Sequence, residues 1–199
     1  MPRASAEDAA RTARSIVETA TVLFAESGFA AVALEDVAAA AGVTRGAVYH
    51  HYGSKRGLFT AVVARLQERV ASAVVASADQ AGPDAAAQLR AGCLAFLDAV
   101  TDAAAVRTLL VDAPAVIGWA EWRRLDAEHS VVHLRDALAA AGITGSLLDP
   151  LTAMLSGAMN DAVLWLAEHP ANAAARAAAR RSLDLLVDAA IAQANAGDR

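Results

Sequence analysis

Cysteine is almost missing from this sequence. Cys93 stands alone among 199 residues, so no internal disulfide can form. Aromatic residues make up only 5% of the chain, and Lys55 is its only lysine, leaving arginine to carry the basic charge. Long apolar runs are missing as well. The longest stretch without an acidic or basic residue is the twelve residues between Asp136 and Asp149, broken by Gly142 and Gly145. A membrane-spanning helix needs about twenty predominantly apolar residues, so no membrane segment is expected. Arg3, Glu7, Asp8, Arg11 and Arg14 deny the N-terminus the apolar centre of a signal peptide, and a cytoplasmic location is expected. Catalytic signatures are absent too. There is no phosphate-binding glycine loop and no nucleophile elbow, and Cys93 sits on an apolar helical face, where cysteine behaves as a small hydrophobe. His129 and His133 stand four apart, yet no Cys pair, His-Glu-x-x-His or Glu-x-x-His accompanies them. No enzyme, catalytic residue, cofactor or metal is expected.

What is present is alanine and helical periodicity. Apolar residues make up 56% of the chain, and alanine, the strongest helix former, dominates them. Strand signals, apolar and polar residues alternating between turns, are nearly absent. The net charge of −5 is unevenly placed: residues 1–70 hold eight Lys and Arg against seven Asp and Glu, whereas residues 71–199 hold nine against fifteen. The front is the less acidic part without being a basic patch.

Turn and cap residues divide the chain into about nine helices. Ser5 with Asp8 resembles a capping box for a first helix from Ala6 to Ser27. Gly28 suits a left-handed ending, with Phe29 folding back on Phe24. Short helices follow over Leu34 to Ala41, stopped by Gly42, and over Arg45 to His51, capped by Thr44. Ser54 caps a long fourth helix from Lys55 that carries Leu58, Phe59, Val62, Val63, Leu66 and Val70 on one side. Beyond Pro83 five more are expected. The first carries Leu89, Cys93, Phe96, Leu97 and Val100, and a short one ends before Pro114. A long one runs from Pro114 to Ala141, another from Asp149 to about His169, and the last from Asn172 to about Ala196.

Ala38, Gly42 and Val48 have the spacing of a helix-turn-helix: a small residue for close packing, a glycine at the turn and a branched residue to fix the angle. That spacing alone is weak in an alanine-rich chain. Around it, however, stand Gly28-Phe29, Leu34-Glu35-Asp36-Val37-Ala38, Thr44-Arg45-Gly46-Ala47-Val48-Tyr49-His50-His51-Tyr52-Gly53-Ser54-Lys55 and Leu58-Phe59. Together they resemble the signature of the TetR family of one-component repressors, over about a third of the chain (residues 11–65). Two departures stand out: Val32-Ala33 occupy the place of the usual Ser or Thr cap, and Glu35 a position often basic.

The chemistry of these residues suits DNA. Lys55 joins a positive charge to a helix N-terminus, and Tyr49 offers a hydroxyl, both suited to phosphate. Tyr52 reads instead as a core aromatic. Arg45 has the fork that reads a guanine edge, and Thr44, His50 and His51 are further polar groups on the recognition helix. Gly46 and Ala47 permit close approach, and Ala47 suits a thymine methyl. Arg3, Arg11 and Arg14 are additional phosphate candidates.

The resulting expectation is an all-α protein with a helix-turn-helix DNA-binding domain over residues 1–54 and a ligand-binding and dimerisation domain over residues 55–199. The resemblance implies a homodimer built from the last two helices, a palindromic double-stranded operator and a small-molecule effector in the body. The inventory of Phe96, Trp119, Trp122, His129, Asn160 and Trp165 supplies candidate ligand contacts. A helical oligomerisation protein that does not bind DNA would explain the alanine content, but not the segment from Tyr49 to Lys55.

Overall fold

The computed structural model describes residues 6–100 and 103–197, and among them every regular element is a helix. Nine continuous helical segments follow one another. They are α1 (Ala6–Ala31), α2 (Leu34–Ala40), α3 (Arg45–Tyr52), α4 (Lys55–Gln80), α5 (Ala85–Val100), α6 (residues 103–117), α7 (residues 119–140), α8 (Leu148–Ala167) and α9 (Ala173–Gly197). Among the described residues no helix is long and apolar enough to cross a membrane.

Local chemistry sets most of the boundaries. Gly28 adopts φ 78° and ψ 163°, a conformation open essentially to glycine, and kinks α1 there. A side chain at this position would also collide with the Arg107 guanidinium that lies against it. Phe29 stacks on Phe24 at 5.8 Å between ring centroids, as the sequence leads one to expect. The Thr44 hydroxyl accepts the Ala47 N–H at 3.2 Å to cap α3, and the Ser54 hydroxyl accepts the Gly57 N–H at 3.0 Å to cap α4. The cap expected at Ser5 and the candidate phosphate contact at Arg3 lie outside the described residues.

The helix expected from Pro114 to Ala141 is instead two. Gly118, at φ 88° and ψ 150°, ends α6 and lets α7 begin at Trp119. Pro114 is thus inside α6 and not at the start of its successor. A π-helical turn, Arg107–Asp112, precedes it. The wider turn suits a residue that has no N–H and whose ring crowds the preceding carbonyls. A second π turn, Ala127–Val131, interrupts α7.

The chain forms two compact units. Unit 1 comprises Met1–Leu66 and Arg107–Trp122; unit 2 comprises Gln67–Val106 and Arg123–Arg199.

In unit 1, Ile16, Ala20 and Phe24 of α1, Val37 of α2, Val48 of α3 and Leu58, Phe59, Val62 and Val63 of α4 are all fully buried. Phe59 meets Phe24 edge-on at 5.1 Å and Phe29 at 4.9 Å, so one aromatic cluster ties α1 to α4. Polar contacts bring the later segment onto this core: the Asp112 carboxylate accepts the Phe29 N–H at 3.2 Å, and Arg56 donates to the Ile117 carbonyl at 2.7 Å.

In unit 2, α5 is the central helix, packed against α7, α8 and α9, with Leu89, Cys93, Phe96, Leu97 and Val100 buried. Burial pushes the Cys93 thiol up to about 12, with nearby Asp184 adding to the effect, so the sulfur stays protonated and inert. The last two helices bury Leu155, Met159, Val163, Leu183, Val187 and Ala190 on their inner faces. On their outer faces Met154 is 69% exposed and Leu185 70%, with Leu186 and Trp165 also open.

Candidate nucleic-acid interface

The turn between α2 and α3 is held by the residues that define the motif. Ala38 and Val48 are buried, and the Val43 N–H donates to the Ala38 carbonyl at 2.9 Å across the Gly42 turn. Val48 anchors α3 from below, while Thr44, Arg45, Gly46, Tyr49 and His50 on the same short helix are exposed, and Ala47 and His51 half-buried. An eight-residue helix with one buried residue presents nearly all its chemistry outward. That is the requirement for a helix that enters a groove.

Arg45 is not free on this surface. Its Nη1 lies 2.8 Å from Glu35 Oε1 of α2, its Nη2 donates to the Tyr49 hydroxyl at 3.3 Å, and its guanidinium carbon stands 5.2 Å from the Tyr49 ring centroid. The Tyr49 hydroxyl first, then Glu35, raise the Arg45 pKa above its ordinary value. The acidic residue that departs from the family pattern is therefore the partner of the arginine proposed to read bases. Sequence reasoning missed this pairing, since neither residue carries a local signal for the other.

Lys55 also has partners. Its Nζ donates to the Ala30 carbonyl at 3.2 Å and lies 4.5 Å from the Phe29 ring centroid. An ammonium has three donors, so this contact leaves capacity for a phosphate. The missing cap before α2 is partly replaced: the Asp36 carboxylate accepts the Ala33 N–H at 3.0 Å. Tyr52 is structural. Its hydroxyl donates to the Ala13 carbonyl at 2.7 Å, pinning α3 to α1, and burial raises its pKa. Arg11 is exposed and ion-paired with Asp8.

The ligand candidates are scattered. Unit 2 contains a cavity of about 290 Å³, walled by α4, α5, α7 and α8, and Phe96 lines it. His129 lines an adjoining cavity of about 480 Å³. Trp119, Trp122, Asn160 and Trp165 are not among the residues that line either. Trp122 is buried in unit 1 with its indole N–H on the Leu109 carbonyl at 2.8 Å, and Trp119 packs on it. Trp165 is exposed and lies against the His169 ring, tilted by 33° with centroids 4.3 Å apart.

A capped, outward-facing second helix on a helix-turn-helix, in a chain whose regular elements among the described residues are all helices, defines a DNA-binding transcriptional regulator. Comparison with known proteins agrees. Residues 16–62 match the family described as bacterial regulatory proteins, tetR family. Residues 86–190 match the tetracyclin repressor-like C-terminal domain. The chain belongs to the TetR family.

Among individual relatives, the HTH-type transcriptional regulator AcrR of Shigella flexneri is 39% identical over 62 residues, 31% of this chain and 29% of that protein. A probable acrEF/envCD operon repressor of Escherichia coli is 41% identical over 59 residues, 30% of this chain and 27% of that protein. These alignments thus span less than a third of each relative's length. A TetR-family transcriptional regulator of Pectobacterium atrosepticum superposes with a TM-score of 0.72 at 28% identity, over 92% of this chain and 95% of the other.

Proposed function

We propose that the chain is a cytoplasmic repressor that grips a palindromic operator as a homodimer and is released from it by a small molecule. The observation that carries the DNA-binding part is α3, which buries Val48, ties Tyr52 to α1 and leaves Arg45, Tyr49 and His50 exposed. Arg45, His50 and His51 read base edges in the major groove; Gly46 and Ala47 allow close approach; Thr44, Tyr49 and Lys55 hold phosphates. The repressor assignment leans on the name of the related Escherichia coli protein.

The exposed apolar side chains on α8 and α9 support dimerisation. Met154, Leu185 and Leu186 leave a wide apolar face on one chain, and such a face needs a cover. Two-fold pairing through it presents two recognition helices to two half-sites. The unit 2 cavity is the proposed effector site, with Phe96 in its wall. Helix α4 belongs to unit 1 up to Leu66 and to unit 2 from Gln67, so it is a covalent path for the signal. An effector lowers operator affinity only to the extent that it binds the released state better.

The test is binding of the purified protein to duplex DNA by fluorescence anisotropy across a salt series. Affinity should fall steeply with salt, Lys55→Ala should flatten the slope by about one, and Arg45→Ala should relax base preference at a cost of about 1–3 kcal/mol. Salt-insensitive binding, or variants indistinguishable from the parent, would remove the reading.

A further inference from the structure

Arg45 is held from two sides. Glu35 Oε1 on α2 lies 2.8 Å from its Nη1, and on α3 itself Tyr49 receives its Nη2 at 3.3 Å and sets its ring 5.2 Å from the guanidinium carbon. The ion pair therefore bridges the two helices of the helix-turn-helix. Both of its side chains stay open, Arg45 at 59% and Glu35 at 54%, so the held guanidinium still faces outward. A guanidinium carries more N–H groups than these contacts use, and it keeps donors for the O6 and N7 of a guanine. The Tyr49 oxygen accepts from Arg45, which leaves the hydroxyl proton for a phosphate.

The carboxylate acts in two ways. An arginine alone on this surface would be drawn to any phosphate, a contact that releases counterions and carries no sequence information. With Glu35 beside it, the pair presents almost no net charge to the backbone. The second effect is geometric. A long side chain must be ordered when it binds, and one already held in place loses less freedom on meeting a base edge. Neutralising the charge weakens binding to every sequence alike. Fixing the fork favours only the base whose edge fits it.

We infer that Glu35 is a specificity-determining positioning residue: it holds the Arg45 guanidinium against Tyr49 for a guanine edge and withholds it from phosphates. The inference rests on the reading of α3 as the helix that reads bases.

The test begins with random duplex libraries enriched by the full-length parent, Glu35→Gln and Arg45→Ala, compared base by base. Glu35 is exposed, so replacing it disturbs no packing. Both variants should relax the same guanine-bearing pair of each half-site and leave the other positions as in the parent. Fluorescence anisotropy across a salt series then compares the parent's enriched duplex with a scrambled one. On the scrambled duplex Glu35→Gln should bind about threefold more tightly, an effect of the size an exposed ion pair supports, with a salt slope steeper by about one. On the enriched duplex the gain should be smaller, because lost positioning offsets the added attraction. Combined with Arg45→Ala, Glu35→Gln should tighten both duplexes alike and alter no base preference.

An equal gain on both duplexes with Arg45 present would make Glu35 a source of repulsion and nothing more. Relaxation at a different base pair from that of Arg45 would make it a reader in its own right. Either result overturns the inference. A motif that depends on Arg45 and not on Glu35 also removes it, while leaving α3 as the reading helix. Enrichment of no motif, or of one indifferent to Arg45, removes that reading and the inference with it.

Discussion

The two units are built from different materials. Seven of the nine aromatic residues fall in unit 1, where Phe24, Phe29 and Phe59 form one packed cluster. Unit 2 has only Phe96 and Trp165, and it surrounds its cavity with alanine, valine and leucine. The difference teaches what each has to do. A helix that reads DNA must be held in one place, so its support is rigid and large-ringed. A cavity that takes a ligand must leave volume unfilled, which forfeits dispersion contacts and stability. The relatives differ in reach: AcrR and the acrEF/envCD repressor align over less than a third of this chain, while the Pectobacterium structure superposes over 92% of it.

The largest expected effect tests this contrast directly. Phe59→Ala should cost about 3–5 kcal/mol in chemical denaturation, as for other fully buried phenylalanines. Phe96→Ala, whose ring already borders open space, should cost less, because fewer contacts are lost. Equal losses would mean that the two cores are equally tight.

Next is Gly57→Ala. A Cβ at this position would stand 2.1 Å from the Tyr52 carbonyl oxygen, so α3 and α4 would have to separate. A loss of about 1–3 kcal/mol is expected, with weaker DNA binding, since the displaced segment carries α3.

In unit 2 the sign reverses. The folded pKa of Asp126 is raised, so the native state holds its proton more tightly than the unfolded state does. The stability this contributes is present below the ordinary aspartate value and is lost as pH rises through the raised one. Asp126→Asn escapes that loss. Its melting temperature should exceed the parent's at neutral pH, and the gap should close as pH falls. A variant less stable than the parent at neutral pH would show that the Arg123 contact outweighs the burial of charge.

Smallest is Glu35→Gln. The Arg45–Glu35 pair is exposed, and such pairs contribute below about 1 kcal/mol. Freed from Glu35, Arg45 should bind DNA somewhat more tightly and discriminate less between sequences. Unchanged affinity and preference would show that the pair only decorates the surface.

What the sequence made legible was local. Thr44 and Ser54 as caps, Gly28 with Phe24 and Phe29, and the buried stripe of α4 each depend on neighbours a few residues away, and helical spacing exposes them. Contacts between distant parts left no such trace. The Tyr52–Ala13, Arg56–Ile117 and Arg45–Glu35 pairings carry no periodic signal, nor does the membership of Arg107–Trp122 in unit 1. The break at Gly118 was hidden because an alanine-rich stretch tolerates a glycine on paper, and π turns have no composition of their own. Trp119, Trp122 and Trp165, candidate ligand contacts by sequence, do not line the cavity. The cavity instead is bordered by alanines, aspartates and Ser156, which only the packing of four helices brings together.

The central claim is that α3 reads a two-fold operator as part of a dimer. Enrichment of duplexes from a random library by the purified full-length protein, followed by sequencing, tests it in one step. The account predicts an inverted repeat whose half-sites lie about one helical turn, or a multiple of it, apart, with recovery lost on Arg45→Ala. Recovery of no common sequence, or of a single unrepeated motif indifferent to Arg45, would contradict it.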